Sequence, residues 1–489
     1  MKKEVFRMER VTYKEFEVKK LEDFNLNIFE GEILGFIPVN LHGLSSFIKL
    51  LQTNLPLYDG YVYYNDIVIN SWERSLQNKN KITIIQKNSS LVQGLSVADN
   101  IFVLRQGYKS EYIRPELLGK QLQFFLEEVG LEIQAGTYVE QLSIFERTVV
   151  ELLKGVIAGH RLIVLNEMDT LLTGQELEKL HAMIRYYASK GFTFIYICLH
   201  AEDIVHLCHR AVLFRNGRIE KNLQSHELTI EKLLSITGDY DHLIRTYLSD
   251  KAHESQEVKF YQMSYRFMDA KATLDIRIKQ AECMAIHCKN TDMYYELRNA
   301  IINKNLGVDG SIQEDCHSLS MNGNKEVAII QELPSKTMLF PQMTYLDNLC
   351  FNLDSRMKGV WLRSNIRKSI SREYGETYGH ELFETPVEQL SEKQKYQLVY
   401  TRVLLQKPKI VFCIQPFQGA DLDHRMHIWT LLESLIKKNI SVVMIAVNLS
   451  DSLSIVDRLI QIDEKGLQKE YTRHEFAEIP LSVPWKHLY

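Results

Sequence analysis

Apolar residues in this chain occur in short continuous runs, separated by longer stretches with helical periodicity. The runs of strand length are 163–165, 193–197, 410–413 and 442–445. They do not alternate with polar residues, which is typical of parallel strands in a sheet covered on both faces. The stretches 176–189 and 424–438 have the pattern of crossover helices in βαβ units. The pattern therefore predicts an α/β fold with a mainly parallel sheet.

The second half of the chain repeats the first. Residues 31–36 match 281–286 at an offset of 250, and three further blocks match at an offset of 248. These three are 96–101 with 344–349, 142–143 with 390–391, and 162–165 with 410–413. Nearly one offset over separate blocks indicates a duplicated domain. We expect domains at 1–238 and 259–489, joined by a polar linker at 239–258 that lacks periodicity.

Composition narrows the class of protein. The chain has 489 residues, 45% hydrophobic and 25% charged, as in ordinary soluble globular proteins. Its formal net charge of −4 argues against non-specific nucleic-acid binding, which needs a basic face. No apolar run reaches the roughly 20 residues of a membrane span, and the first residues lack the pattern of a signal peptide. We expect no direct membrane insertion, and any membrane association through a partner protein.

Residues 38–46 keep part of the phosphate-binding pattern G-x-x-x-x-G-K-[ST]. In such loops glycines let backbone N–H groups surround the phosphates, the lysine neutralises charge and the hydroxyl holds Mg²⁺. Gly43 and Ser45 fit the pattern, whereas Pro38 replaces the first glycine and Leu44 replaces the lysine. Two alternatives remain open for this loop: it is kept for folding alone, or it retains weak nucleotide binding.

With these residues, 31–51 resembles the nucleotide-binding subunit of ABC importers. The resemblance is to the type with two ATPase domains in one chain, which serves ribose-, galactose- and xylose-like sugars, and it covers nearly the whole chain. It implies an α/β fold of two tandem P-loop NTPase-like ABC ATPase domains, each a mainly parallel sheet with helices plus a helical subdomain. Leu41 replaces a further glycine of the family loop. The candidate cofactor-binding residues here are Asn40, Gly43, Leu44, Ser45 and Ser46, with Ser45 also the candidate Mg²⁺ ligand.

The corresponding loop of the second half, 288–295, contains no glycine. Tyr294 and Tyr295 stand in the lysine and hydroxyl positions. We expect these bulky side chains to fill the space that phosphates occupy in the family. ATP and Mg²⁺ are therefore expected in the first half only, and weakly.

The family's signature motif, L-S-G-G-Q, closes on the γ-phosphate of the opposite domain through its serine hydroxyl and glycine N–H groups. The copies at 142–146 and 390–394 keep the serine and lose both glycines. Each copy also gains a glutamate, whose charge is unfavourable near a triphosphate. Ser391 and Gln394 are the candidate binding residues in this motif, with a helix N-cap role as the alternative for each serine.

The next strand of the family ends in Asp-Glu, where the aspartate supports Mg²⁺ and the glutamate polarises the attacking water. The first half has Asn166 and Glu167 at these positions, and the second half, at 413–416, has neither acid. Glu167 is thus the candidate catalytic carboxylate. The alternative is a merely solvated glutamate at a strand end.

Three single-residue positions of the family are also represented. In two of them the expected residue lies one position away from its place in the family pattern, and the third has two candidates. A glutamine is expected at the register position of Lys87, and Gln86 beside it is the candidate. The switch histidine falls at Leu199, with His200 next to it. The aromatic partner expected for adenine is Tyr13 or Phe16.

The resemblance implies head-to-tail pairing of the two domains within the chain, each phosphate loop facing the other domain's signature. The leading hypothesis is a pseudo-ATPase that acts as a docking or regulatory partner of a sugar permease, with 86–136 as the permease-facing region. The motif losses argue against efficient ATP hydrolysis. The alternatives are an active, divergent ATPase that energises sugar import, and a soluble interaction protein that reuses the fold. We expect the chain in the cytoplasm, peripheral at the inner face of the cell membrane through the permease.

Overall fold

A computed structural model gives the fold of the chain as two compact units, Met1–Gly238 and Asp239–Tyr489. It describes residues 3–15, 18–70, 80–104, 114–198, 201–229, 232–233, 260–267, 272–302, 311–314, 317–320, 327–351, 353, 364–447, 449, 453, 455–463 and 467–479. The expected linker at 239–258 lies outside these residues. Within them, no helix combines the length and the apolar character that a membrane crossing requires.

The first unit is built on two sheets. Its strands are β1 (Glu4–Glu15), β2 (Val18–Phe29), β3 (Ile33–Pro38), β4 (Asp59–Tyr64), β5 (Ile67–Val68), β6 (Ile82–Ile85), β7 (Leu162–Asn166), β8 (Thr193–Ile197), β9 (Arg210–Arg215) and β10 (Arg218–Leu223). One sheet has the order β10-β9-β3-β8-β7-β6, in which only the β9–β10 pair is antiparallel. The other, β2-β1-β4-β5, is antiparallel.

Helices cover the mainly parallel sheet of the first unit and form a segment between β6 and β7. They are α1 (Leu44–Gln52), α2 (Pro115–Glu128), α3 (Ile144–Ile157), α4 (Gly174–Ser189) and α5 (Ala201–Leu207), with a π-helical turn at Asp99–Val103. The helices α2 and α3 belong to the segment between the two strands, which corresponds to the helical subdomain that the resemblance implies. Short 3₁₀ turns lie at Val139–Gln141, Met168–Thr170 and Ser225–Glu227.

The second unit repeats this architecture. Its strands are β11 (Phe260–Phe267), β12 (Ala272–Lys279), β13 (Cys283–Cys288), β14 (Ser311–Glu314), β15 (His317–Ser320), β16 (Val327–Ile330), β17 (Ile410–Ile414), β18 (Ser441–Ala446), β19 (Arg458–Ile462) and β20 (Gln468–Thr472). Its helices are α6 (Thr291–Ile302), α7 (Pro334–Thr337), α8 (Tyr345–Cys350), α9 (Ser364–Tyr378), α10 (Glu392–Gln406) and α11 (Leu422–Lys437), with 3₁₀ turns at His380–Glu384, Val387–Gln389 and Arg473–Glu478. The order β20-β19-β13-β18-β17-β16 is the strand order of the first unit.

Side chains of the mainly parallel sheet are buried on both faces, as the continuous apolar runs predict. In β7, Ile163 and Leu165 join the hydrophobic cluster that includes helices α3 and α4. Leu162 and Val164 join the cluster on the opposite face, between this sheet, α1 and the antiparallel sheet. A strand enclosed on both sides needs apolar residues at successive positions, which is why these runs do not alternate.

Equivalent polar contacts recur in the two units at the offsets seen in the sequence. Arg210 Nε donates to Glu32 at 2.5 Å, and Arg458 Nε donates to Glu282 at 2.8 Å. The side-chain oxygen of Asn348 accepts the amide of the residue eight positions earlier at 2.8 Å, as that of Asn100 does. Shared buried contacts of this kind confirm the duplication. The predicted α/β class, with two tandem domains that each contain a mainly parallel sheet with helices, is confirmed.

Candidate functional site

The first loop, 39–43, lies between the end of β3 and the start of α1. Gly43 has φ +86°, and a Cβ atom built on it would lie 2.1 Å from the carbonyl oxygen of Lys20. Gly217, in the β9–β10 turn, meets the same carbonyl at 2.2 Å. Both glycines are therefore required where three backbone segments approach one another.

Polar side chains of this loop are hydrogen-bonded to the rest of the first unit. Asn40 Nδ2 donates to Asn216 Oδ1 at 2.7 Å, and the Asn216 amide donates to Asn40 Oδ1 at 3.0 Å. His42 Nε2 donates to the carbonyl of Lys19 at 2.9 Å. These bonds attach the loop to β2 and to the β9–β10 turn.

The residue in the lysine position points into the core. Leu44 is 4% exposed and packs in the same cluster as Phe36 and Phe47, whose rings stack at 4.8 Å. Ser45, one position later, is exposed, whereas Ser46 is fully buried and its hydroxyl has no hydrogen-bond partner among the described residues. The first turn of α1 thus offers a hydroxyl and backbone donors but no cation.

The second unit has lost the loop itself. Its β13 ends at Cys288 and α6 begins at Thr291, so two residues stand where the first unit has five. Asn290 Oδ1 accepts the Asp292 amide at 2.7 Å and so caps the helix. Helix has replaced loop, which is why no glycine is needed there.

The expectation that the Tyr294 side chain fills the space of the phosphates is wrong. Tyr294 lies in the second turn of α6, fully buried among residues such as Met284 and Phe412, and burial raises the pKa of its hydroxyl. Its ring lies 5.0 Å from that of Tyr295, nearly perpendicular to it. In both units, therefore, the side chain at the lysine position belongs to the core.

Glu167 follows β7 in a left-handed backbone conformation, with φ 56°. Its amide donates to the carbonyl of Ile197 at 3.1 Å, and its side chain is half-buried. Asn166, in the aspartate position, has a buried side-chain oxygen with no hydrogen-bond partner among the described residues. Gln415 repeats this geometry in the second unit. Its φ is 42°, and its backbone N–H donates a hydrogen bond to the carbonyl of Ile445. The strand-end geometry survives in both units, and the carboxylate in one.

Both signature serines cap a helix. Ser143 Oγ accepts the amide of Glu146 at 3.1 Å, while the glutamate side chain accepts the Ser143 amide. Ser391 Oγ accepts the Gln394 amide at 3.3 Å and donates to its side-chain oxygen at 2.9 Å. These capping boxes begin α3 and α10. The N-cap role proposed as the alternative is what the structure shows for both serines.

The segment after β6 is attached to α3. Gln86 follows the strand directly and is half-buried. Ser89 Oγ donates to the Glu151 carboxylate at 2.9 Å. The backbone N–H of Ser90 donates to the same carboxylate. Burial raises the pKa of the Glu151 carboxyl. Sequence reasoning missed Gln331, which follows β16 as Gln86 follows β6. A glutamine directly after each strand was the available signal.

Of the remaining candidates, Tyr13 lies on β1 and packs against the core beside α1. Phe16, Leu199 and His200 lie outside the described residues. No set of three or more histidine, cysteine or acidic side chains suited to a metal ion occurs among the residues that the structure describes.

The comparisons with known proteins agree with the resemblance given above. Residues 21–170 match the family described as ABC transporter. This match lies within the first unit. The ribose import ATP-binding protein RbsA of Clostridium perfringens (strain SM101) is 24% identical over 481 residues, covering 94% of this chain and 93% of that protein. The xylose import ATP-binding protein XylG of Geobacillus kaustophilus is 23% identical over 498 residues, covering 98% of each.

Among solved structures, cbiO1 from Clostridium perfringens, part of the ABC transporter complex cbiONQ, has a TM-score of 0.42. It covers 50% of this chain and 99% of its own, at 16% identity. The predicted resemblance to the ATP-binding subunits of ABC-type sugar importers is confirmed by the curated relatives, which match both halves of the chain.

Proposed function

We propose that this chain is a pseudo-ATPase of the sugar-import type of ABC ATP-binding subunit, with negligible ATP hydrolysis. The observation that carries the proposal is the burial of the residue in each lysine position, Leu44 and Tyr294, within its hydrophobic core. Neither side chain can neutralise a phosphate. Preorganised positive charge at the transferred phosphoryl group is a main source of catalysis in this chemistry.

A second loss supports the same proposal. Asn166 supplies an amide where the family's aspartate supports Mg²⁺, and a neutral amide neutralises none of the cation's charge. Any ion beside which Glu167 would orient water is then held more weakly than in the family. Each missing contribution of about 1.4 kcal/mol to the transition state lowers the rate tenfold. Several such losses together leave no efficient hydrolysis.

Residual nucleotide binding, where it occurs, belongs to the first half and is weak. There the exposed Ser45 keeps a hydroxyl at the start of α1, directly after Gly43. The side chain of Asn40 is held by Asn216, and the second unit has only two residues between strand and helix. We therefore propose at most one ATP and one Mg²⁺ per chain, with Ser45 as metal ligand.

The partner that we propose is a membrane permease subunit. The relatives RbsA and XylG are named as import ATP-binding proteins, and both units expose apolar side chains at one repeated position. Val92 is 47% exposed in the first unit and Phe340 is 43% exposed in the second. Met343 and Phe351 extend the second patch, and the rings of Phe340 and Phe351 lie 4.6 Å apart. Exposed apolar patches mark interaction sites in soluble domains.

The organisation that follows is two domains, 1–238 and 259–489, joined at 239–258 and paired head to tail as in the family. In that pairing Ser391 and Gln394 face the first loop, together with Gln86. We place the chain in the cytoplasm, at the inner membrane face through its permease. Its role is docking or regulation of sugar uptake.

Two measurements test the proposal. Steady-state ATP hydrolysis by the full chain should not exceed that of a Glu167→Gln variant, because the family's lysine and Mg²⁺-supporting aspartate are replaced by Leu44 and Asn166. Turnover clearly above that variant would overturn the pseudo-ATPase and favour the active, divergent ATPase. Titration calorimetry with Mg-ATP should give at most one weak site per chain, and two sites would contradict the asymmetry of the loops.

Co-purification tests the partner. The full chain is co-expressed with each candidate sugar permease of its genome and purified from detergent-solubilised membranes. Val92→Asp and Phe340→Asp should each reduce the amount of permease that co-purifies, because burying an unpaired carboxylate in an apolar interface costs free energy. Leu467→Asp is the matched control, since Leu467 is also exposed but lies far along the chain from both patches. Equal capture by all three variants would exclude these patches.

A further inference from the structure

An ion pair joins two elements of the second unit that surround the lost phosphate loop. Arg298 on α6 donates through Nη2 to Glu332, which follows β16. The two side chains are only 21% and 12% exposed. Water and salt screen a pair at this depth much less than a surface pair. The contact therefore fixes the segment 331–338 to the helix that replaced the loop.

Other side chains also surround the guanidinium of Arg298, and its Nη1 donates to Asn299 Oδ1 at 3.0 Å. The guanidinium of Arg298 lies 6.0 Å from the ring centre of Tyr295. Burial raises the pKa of the Tyr295 hydroxyl, and the negative charge of Glu332 raises it further. Within the segment, Thr337 Oγ1 donates to the carbonyls of Glu332 at 3.1 Å and Leu333 at 3.2 Å. The segment is thus closed on itself as well as attached to α6.

The first unit has no such pair at the equivalent positions. The offset of 250 that relates the loop helices places Ile48 opposite Arg298. The alignment of Gln86 with Gln331 after their strands places Lys87 opposite Glu332. The first unit attaches its segment instead to α3, through Glu151. The corresponding residue of α10 is the buried apolar Val399. In the second unit Arg402 of α10 also donates to the carbonyl of Met338 at 2.8 Å. This unit therefore holds its segment to α10, the counterpart of α3, and additionally to α6 through the ion pair.

We propose that the Arg298–Glu332 pair is a latch that takes the place of a nucleotide in the second unit and holds this unit in one conformation. The segment 331–338 leads directly into Phe340 and Met343. The latch therefore keeps the apolar patch of this unit presented whether ATP is bound elsewhere in the chain or not. The latch itself rests on contacts within the second unit, and only this consequence rests on the proposed function.

Amide hydrogen exchange of the full chain tests the latch. In the wild type, exchange over 331–338 should change by less than about twofold on addition of Mg-ATP. Glu332→Gln should speed it at least about tenfold, because a partly buried charge then lacks its partner. Glu433→Gln is the matched control. It breaks the Lys437–Glu433 pair of α11 in the same unit, whose lysine is 71% exposed, and should leave exchange over 331–338 unchanged.

A double-mutant cycle separates the pair from general loosening. Arg298→Met alone, Glu332→Gln alone and both together should speed exchange to a similar extent, because either change opens the same latch. The proposal would be overturned if the double variant sped exchange by the product of the two single effects. It would also be overturned if Glu332→Gln exchanged within twofold of the wild type. Protection of 331–338 by Mg-ATP would overturn it as well. The ATPase and co-purification assays do not depend on this result, so a failure of the proposed function is recognised separately.

Discussion

Restoring the family lysine should damage the first unit before it restores any chemistry. Leu44→Lys removes a leucine that is 4% exposed, which costs about 2 kcal/mol of burial. It also places an ammonium group at the positive end of α1, which is unfavourable by roughly 0.3–1 kcal/mol, and part of the charge stays desolvated. We expect a total near 3 kcal/mol. For a unit of this size that lowers the melting temperature by roughly 6–12 °C.

Differential scanning calorimetry of the full chain measures this change as a shift in the transition of the first unit. Ser45→Lys is the matched control, because it adds the same charge one residue further along, at an exposed position, and should shift the transition by no more than about 2 °C. Leu44→Met tests volume and should cost less than about 1.5 kcal/mol. The reasoning would be refuted if Leu44→Lys melted with the wild type and gained stabilisation from Mg-ATP. The lysine would then have reached the phosphate position.

Three further predictions concern the scaffold. Arg210→Met should destabilise the first unit by about 3–5 kcal/mol, since it leaves the carboxylate of Glu32 buried without its partner, and calorimetry measures the loss. Gly43→Ala should cost more than about 2 kcal/mol, because its Cβ meets backbone at 2.1 Å, whereas Gly94→Ala, with open space around it, should be neutral by the same assay. Burial lowers the pKa of His181 to about 4, against about 6.5 in the unfolded chain. The unfolded state therefore binds the extra proton between these values, and stability falls as pH drops from about 6.5 to 4. Chemical denaturation at several pH values should show that His181→Gln removes this part of the slope.

Much of the fold could be predicted because its signals are local. The buried strands are continuous apolar runs, and each observed strand begins and ends within one residue of its predicted limits. The duplication was visible as a constant offset. Sequence could not supply the contacts that close the first loop, because Asn40 meets Asn216 across 176 residues. Such a pair becomes evident only once β3 and β9 lie side by side.

Two features of the site were open to prediction and were missed. Leu44 stands three residues before Phe47 and six and seven before Leu50 and Leu51, all of them buried. That spacing marks the core face of a helix rather than a ligand contact. In the second unit, Asn290 before a helical stretch is an N-cap signal. Both signals lie within residues that also match the phosphate-loop pattern. That pattern places a loop in each half of the chain, where the two signals indicate helix.

The two units depart from the phosphate-loop pattern in different ways, and one physical reason explains why the side chain at the lysine position lies in the core in both. A helix N-terminus repels a cation, so a lysine there is favourable only while a phosphate offsets the repulsion. A buried apolar side chain at that position stabilises the fold without needing a phosphate, as Leu44 and Tyr294 do. The first unit then keeps its loop closed through Asn40 and Asn216, while the second shortens it and caps the helix with Asn290. If the chain is the pseudo-ATPase that we propose, a single reversal such as Leu44→Lys leaves these contacts in place, and we therefore expect it to restore no ATP hydrolysis.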